Sequence, residues 1–130
     1  MIGEQAAPVV TPGRRVLVVD DDPEQLEELL EMFREAGISA ESACGATDAM
    51  AMLSTMRPQL MLVDIKMPGI DGLKLADFAR ALDRRIVIVL MSGDWHAAEE
   101  SRGRDDGILA VVTKPLDPAW LVETARALTH

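Results

Sequence analysis

Short continuous runs of apolar residues recur along this chain, separated by segments whose apolar residues are spaced three or four positions apart. The continuous runs cover residues 16–19, 60–63, 86–91 and 110–112. Runs of this length, rich in β-branched residues, are typical of strands that are covered on both faces of a sheet. A weaker strand is predicted over residues 38–42. The hydrophobic pattern therefore predicts about five strands.

The intervening segments show the spacing of amphipathic helices. Their apolar residues recur at positions i, i+3, i+4 and i+7, namely Leu26, Leu29, Leu30 and Phe33, then Ala46, Ala49, Met50 and Leu53, then Leu75, Phe78, Ala79 and Leu82. Asp22 followed by Pro23 predicts the start of the first helix, and Gly37 its end. A last helix is predicted from Pro118. This alternation predicts a parallel α/β sheet with helices on both faces, joined by right-handed crossovers.

The least regular segment covers residues 94–107. Trp95 and Ala98 begin an apolar helix face, but the charged residues at 102 and 104–106 do not continue it. We expect a poorly anchored helix here. Trp95 is expected to be partly buried in the core, the alternative being an anchor for a binding partner.

Length and composition indicate one domain. The chain has 130 residues, of which 48% are hydrophobic, enough for a single core. Residues 1–14 contain prolines, glycines and small residues without a period and are expected to form a flexible tail, with the domain over residues 15–130. No apolar run approaches the roughly 20 residues of a membrane-spanning helix, and the N-terminus lacks a signal-peptide pattern, so we expect a cytoplasmic protein.

The cysteine content and the charge of the chain argue against disulfides, cysteine-rich metal sites and nucleic-acid binding. Cys44 is the only cysteine, so neither an internal disulfide nor a cysteine-rich metal site can form, and it is expected to be a small half-buried residue. The net charge of −9 argues against direct contact with nucleic acid, because Lys and Arg supply most non-specific affinity for phosphate backbones.

Polar residues follow four of the predicted strands. Asp20 and Asp21 follow the first strand, Asp64 the third, Ser92 the fourth and Lys114 the fifth. In an open parallel sheet these positions meet at one edge, where ligands bind. Alone, each has a plain structural interpretation as a helix cap, a turn or a surface loop. Their joint occurrence favours a functional site.

The chemistry of this set indicates phosphoryl transfer. Close carboxylates repel each other by about 4 kcal/mol per pair at an effective dielectric of 20, so a cation is needed among them. An all-oxygen ligand set suits Mg2+. Lys114 and Ser92 add a positive charge and a hydroxyl donor that suit a phosphoryl group. Attack by the Asp64 carboxylate on an activated donor would give an aspartyl phosphate.

Four sequence motifs carry a family resemblance. They are V-L-V-V-D-D-D-P at 16–23, L-V-D-I-K-M-P-G-I-D-G at 62–72, V-L-M-S-G at 89–93 and T-K-P-L-D at 113–117. With them the chain, from Arg15 onward, resembles the receiver domains of two-component signalling, such as the stand-alone chemotaxis regulator. The resemblance implies a flavodoxin-like (βα)5 fold, a doubly wound parallel five-stranded sheet with strand order 2-1-3-4-5.

The resemblance also implies roles for individual residues. Asp64 would accept the phosphoryl group. Asp21 and Asp64 would bind Mg2+ directly, Asp20 would bind it through water, and the backbone carbonyl of Lys66 would be a further ligand. In the loop after Asp64, Pro68, Gly69 and Gly72 are turn formers that could hold this carbonyl toward the metal, the alternative being a tight connection into the next helix.

Signalling roles follow from the same resemblance. After phosphorylation Ser92 would move toward the phosphoryl group and Lys114 would pair with it. A sensor histidine kinase or histidine phosphotransfer protein would be the donor, and the face of the fourth helix, fifth strand and fifth helix would engage a downstream protein. A phosphorylation-dependent homodimer is allowed. The domain would not be an enzyme beyond its own phosphorylation and dephosphorylation.

The sequence departs from the family at Val111, where receivers commonly carry Tyr or Phe as a rotating switch. We hypothesise that switching instead reorders residues 94–107. Lys66 and Asp94 occupy positions that in this family influence water access to the aspartyl phosphate. We hypothesise that they pair across the mouth of the site and slow hydrolysis, the alternative being that both are solvated and unpaired.

The sequence leaves alternative functions to be weighed against a phosphorylated receiver. A Mg2+-dependent phosphohydrolase of the haloacid-dehalogenase kind would need a second Asp two residues after the nucleophile, where Lys66 stands. A degenerate receiver that binds partners without phosphorylation would be expected to lose Asp64, Lys114 or the acidic pair, which are all present. The chain is either a stand-alone regulator, which the opening Met slightly favours, or a receiver cut from a longer regulator or hybrid kinase.

Overall fold

The computed structural model describes residues 15–102 and 107–129. The predicted tail at residues 1–14 lies outside the described residues, so its boundary remains a prediction. Within the described part, strands and helices alternate in the order β1 (Val16–Asp20), α1 (Pro23–Glu35), β2 (Ala40–Cys44), α2 (Ala46–Leu53), β3 (Leu60–Asp64), α3 (Gly72–Leu82), β4 (Val87–Ser92), α4 (Trp95–Ser101), β5 (Ile108–Thr113) and α5 (Pro118–Thr129).

The strands form one parallel sheet in the order β2-β1-β3-β4-β5, which confirms the predicted topology. The order reverses beside β1, because β2 lies on one side of it and β3 on the other. In such sheets the crevice beyond the carboxyl ends of the strands at the reversal is the usual ligand site. Val19 pairs with Val63, so Asp20 and Asp64 end adjacent strands at that point.

The core has two halves, one on each face of the sheet. Alternate strand residues point to opposite faces, so that Leu17 and Val19 pack with α2 and α3, whereas Val16 and Val18 pack with α1 and α5. All residues of β1 and β3 are buried. This double burial explains why their sequences are continuous apolar runs instead of alternating ones.

The edge strand β2 begins two residues later than predicted. Ile38 is buried, but its amide donates to the carbonyl of Phe33 at 2.9 Å and Gly37 has φ +76°. Ile38 therefore belongs to the turn that ends α1. Cys44, at the exposed end of this edge strand, is itself exposed, so the expectation of a half-buried cysteine is wrong.

The predicted helix after β4 is present as the seven-residue α4. Ala98 is fully buried, but the side chain of Trp95 is 62% exposed, so its prediction as a core residue is wrong. Trp95 is the first helical residue, and its ring meets that of His96 edge-on at 5.5 Å. Among the described helices none is long and apolar enough to cross a membrane.

Candidate functional site

The site lies at the carboxyl ends of β1 and β3, where three carboxylates converge. Asp20 is fully buried, Asp64 is 7% exposed, and Asp21 is exposed. One carboxylate oxygen from each lies within 4.8 Å of the others. The structure thus brings together the three acidic residues that the sequence singled out.

Backbone amides fix one oxygen of each buried carboxylate. The amide of Asp22 donates to Oδ1 of Asp20 at 3.0 Å, and the amide of Lys66 donates to Oδ1 of Asp64 at 3.0 Å. The side chain of Asp22 instead accepts from the amide of Glu24 and caps α1, as predicted. The three consecutive aspartates therefore divide into a helix cap and two site residues.

Lys114 supplies the cation among these carboxylates. Its Nζ lies 3.0 Å from Oδ2 of Asp64 and 3.2 Å from Oδ2 of Asp20. Lys114 follows β5 directly, its amide donates to the carbonyl of Ser92 at 2.8 Å, and its peptide bond to Pro115 is cis. The lysine thus extends across the end of β4 to the two strands that carry the acids.

The charges of this cluster depend on each other. Burial raises the pKa of Asp20, and the charge of Asp64 adds to that effect, while the amide of Asp22 and the ammonium of Lys114 partly offset it. Burial acts to lower the pKa of Lys114, but its hydrogen bonds to Asp64 and Asp20 outweigh this and raise it. The two carboxylates therefore favour the charged form of Lys114, whereas burial disfavours the charged form of Asp20.

Ser92 lies one residue beyond the strand position that pairs with Asp64, and is 1% exposed. Its hydroxyl donates to the carbonyl of Asp94 at 2.9 Å and accepts from the amide of Asp94 at 2.9 Å. Both hydroxyl contacts thus stay within the loop from β4 to α4.

Lys66 and Asp94 form an ion pair between the loops that follow β3 and β4. The Nζ of Lys66 lies 2.6 Å from Oδ2 of Asp94, and the Lys66 side chain is exposed. This hydrogen bond raises the pKa of Lys66 and, with the amides of Ala97 and His96, lowers the pKa of Asp94. The predicted contact is present, and its effect on hydrolysis stays a prediction.

A close backbone approach holds the loop after Asp64. A Cβ atom added at Gly72 would lie 2.2 Å from the carbonyl oxygen of Asp64 and 2.8 Å from the Cα of Ile65. The amide of Gly72 donates to the carbonyl of Ile65 at 2.8 Å, and Gly69 turns the chain with φ +82°. The first turn of α3 therefore lies directly against the backbone of Asp64.

Val111 is a half-buried residue of β5, packed against the core on the α2 and α3 side of the sheet. Its carbonyl accepts from Nη2 of Arg102 at 3.3 Å. No ring is present at this position to rotate between two states.

The residues present fit a hard divalent cation. Three carboxylates converge, two of them buried, and the described candidate group contains neither Cys nor His. Oxygen-only sets of this kind suit Mg2+ or Ca2+ better than Zn2+. The role of the Lys66 carbonyl as a further ligand stays a prediction.

The sequence of this chain matches a known protein family and several known proteins. The family model described as response regulator receiver domain matches residues 16–126. The DNA-binding response regulator MtrA of Mycolicibacterium smegmatis is 32% identical over 117 residues, which are 90% of this chain and 51% of MtrA. The chain thus spans about half the length of the curated relatives it matches.

Two solved structures are similar over most of the chain. A CheY-like receiver domain protein from Methanospirillum hungatei JF-1 shares 26% identity with a TM-score of 0.78, covering 88% of this chain and 92% of that one. The response regulator TrrA from Thermotoga maritima, solved in complex with Mg(2+)-BeF, shares 29% identity with a TM-score of 0.77, covering 88% and 97%.

Proposed function

The chain belongs to the response regulator receiver domain family of two-component signalling, and on that premise we propose that it accepts a phosphoryl group on Asp64 in a Mg2+-dependent reaction. The observation that carries this proposal is the position of the Lys114 ammonium, 3.0 Å from Asp64 and 3.2 Å from Asp20 at the reversal of strand order. A buried carboxylate held by an amide on one oxygen and a cation on the other is an oriented nucleophile.

In the proposed reaction, a carboxylate oxygen of Asp64 attacks the phosphorus of a phosphohistidine. An O–P bond forms, the P–N bond breaks, and its electron pair stays on the imidazole nitrogen of the donor. Lys114 then pairs with the phosphoryl oxygens, and the hydroxyl of Ser92 donates to one of them. The chain catalyses this transfer and the later hydrolysis only on itself, as a signalling module.

Asp20, Asp21, Asp64 and the backbone carbonyl of Lys66 would hold Mg2+. When bound, the ion neutralises negative charge that develops on the transferring phosphoryl group. The cluster within 4.8 Å and the Mg(2+)-BeF complex of the similar TrrA support this assignment.

The partners are proposed from the family and from charge. The donor is a sensor histidine kinase or a histidine phosphotransfer protein, and the face of α4, β5 and α5 transmits the signal to a protein partner or a second copy of the chain. MtrA is named a DNA-binding protein, but this chain spans 51% of its length. With a net charge of −9, this domain itself is proposed to act in the cytoplasm through protein contacts, without nucleic acid.

Intact mass tests the proposal. The protein is incubated with a small-molecule phosphodonor with and without Mg2+, as the native chain, as Asp64→Asn, and as the control Asp48→Asn, which changes an exposed carboxylate on α2. We expect one phosphoryl addition in the native chain and the control, only with Mg2+, and none in Asp64→Asn.

Absence of any addition to the native chain would contradict the proposal and favour the second candidate, a module that binds partners without phosphorylation. The observation that favours this candidate is Val111 in place of the usual aromatic residue. Turnover of small phosphate esters would instead indicate a phosphohydrolase, which the lysine at position 66 disfavours.

A further inference from the structure

Asp94 joins three parts of the molecule. Its backbone holds the Ser92 hydroxyl at the end of β4, its Oδ2 holds Lys66 in the loop after β3, and its Oδ1 accepts from the first amides of α4. Of these contacts, only the ion pair with Lys66 is predicted from the sequence. The sequence does contain a signal for the other two contacts. Asp94 stands two residues after a Ser that ends a strand and directly before a helical segment, which is the position of a helix cap.

The hydroxyl of Ser92 has a single proton, which at present is donated to the carbonyl of Asp94. Donation to a phosphoryl oxygen on Asp64 and donation to Asp94 therefore exclude each other. If the Ser92 side chain rotates about its Cα–Cβ bond to reach the phosphoryl group, its oxygen also leaves the amide of Asp94, which lies 2.9 Å away in the unmodified protein.

The side chain of Asp94 in turn holds the start of α4. Oδ1 accepts from the amides of His96 at 2.9 Å and Ala97 at 3.4 Å. A helix of seven residues is too short to be stable by itself, so it depends on its cap and on the buried Ala98. A change in the backbone hydrogen bonds of Asp94 therefore affects a helix that has little stability of its own.

We propose that Asp94 is the positioning residue that couples the state of Ser92 to the order of α4, in place of a rotating aromatic ring. When Ser92 turns to the phosphoryl group, Asp94 loses two backbone hydrogen bonds, the cap weakens, and the first turn of α4 with Trp95 opens more readily. This inference rests on the proposed function, because it requires phosphorylation of Asp64.

Hydrogen exchange over residues 94–101 tests the coupling. In the native chain we expect exchange to rise on phosphorylation by roughly two- to ten-fold, the factor for losing one ordinary hydrogen bond. Ser92→Ala should produce a similar rise in the unmodified protein. The matched control is Ser54→Ala, which removes an exposed hydroxyl bonded to the carbonyl of Ala51 on α2, and should leave exchange in α4 unchanged.

Two substitutions separate the helix-capping role of Asp94 from its ion pair with Lys66. Asp94→Ala removes the cap, so exchange should be high before phosphorylation and should rise no further. Asp94→Asn keeps a capping oxygen but loses the charge that pairs with Lys66, so it should retain the low starting rate and the rise. Rescue by Asn is a result that a general loss of folding would not give.

The intact mass of each sample distinguishes failure of the proposed function from failure of this inference alone. If the native chain gains no phosphoryl group, the proposed function and this inference are both overturned. If it gains one and exchange in α4 stays the same, or if Asp94→Ala keeps the full rise, the inference alone is overturned.

Discussion

At the scale of single residues, the ion pair between Lys66 and Asp94 is predicted to limit how water reaches Asp64. The amide of Lys66 binds the Asp64 carboxylate while its ammonium pairs with Asp94 across the mouth of the site at 2.6 Å. We predict that Lys66→Ala shortens the lifetime of the aspartyl phosphate several-fold, because the pair no longer closes this approach. This lifetime is measured by intact mass, as the decay of the phosphorylated protein after the donor is removed.

The control for this prediction is Lys74→Ala, which removes another exposed lysine, located on α3. Its phosphoryl lifetime should equal that of the native chain. Equal lifetimes for Lys66→Ala and the native chain would contradict a protective role for the ion pair.

Gly72 offers a second prediction at this scale. The missing Cβ would lie 2.2 Å from the backbone oxygen of Asp64, and backbone cannot yield as a flexible side chain can. We predict that Gly72→Ala lowers the free energy of unfolding by about 1–3 kcal/mol, the usual cost of overpacking. Urea unfolding measures it. Gly93→Ala is the matched control, because a Cβ there meets nothing within 4 Å, and a comparable loss in both variants would refute the steric explanation.

At the scale of elements, Asp83 ends α3 and makes its stability depend on pH. The side chain and backbone amide of Arg85 hydrogen-bond to its carboxylate and lower its pKa below 3.8. A lowered pKa in the folded state stabilises the protein above the unfolded pKa, and this contribution is lost as the pH falls through the folded pKa.

We therefore predict that Asp83→Asn reduces stability slightly at pH 7, and that its difference from the native chain disappears as the pH falls through the lowered pKa of Asp83 in the folded protein. The effect is small because Arg85 is exposed to solvent. Denaturant unfolding at several pH values tests this. A difference that stays constant down to the lowest pH would show that the Asp83 carboxylate contributes no charge-dependent stability.

Burial decides which elements could be predicted from the sequence. The strands β1 and β3 are covered on both faces, so every residue had to be apolar until the terminal Asp. β2 is half-exposed at the sheet edge and includes Glu41 and Ser42, so its pattern was weak and its bounds were misplaced. In α4 the buried residues are Ala98 and Ser101, which are both small, so the larger Trp95 gave a misleading signal of burial.

At the scale of the whole molecule, parallel strand pairing explains why much of the candidate site was predictable. The carboxyl ends of parallel strands share one edge, so Asp20 and Asp64, on the adjacent strands β1 and β3, had to be neighbours once the strand order was known. Lys114 had to lie at the same edge, but only its long side chain brings its ammonium past β4 to the two acids. The loop contacts were not predictable in this way. The bonds of the Ser92 hydroxyl to Asp94 depend on local loop conformation, which periodicity in the sequence does not encode.

Because the same sheet edge gathers three carboxylates, we expect the stability of the whole domain to depend on Mg2+. Asp20 is fully buried with a raised pKa, and it shares Lys114 with Asp64, so the site holds more negative than positive charge without a metal ion. Mg2+ that binds only the folded chain should stabilise it by about 2.7 kcal/mol at a concentration 100 times its Kd. We predict a higher melting temperature of the native chain in Mg2+ than in a chelator.

Asp20→Asn separates this effect from a general effect of salt. The amide keeps the shape of the carboxylate and an oxygen that can accept from Asp22, but it removes a buried charge and the second oxygen, which accepts from Lys114. We expect this variant to gain less stability from Mg2+ than the native chain does, because it lacks one of the three converging carboxylates. Asp48→Asn should behave as the native chain in both conditions. If Asp20→Asn and the native chain respond equally to Mg2+, the ion stabilises the protein elsewhere, and Asp20 takes no part in holding it.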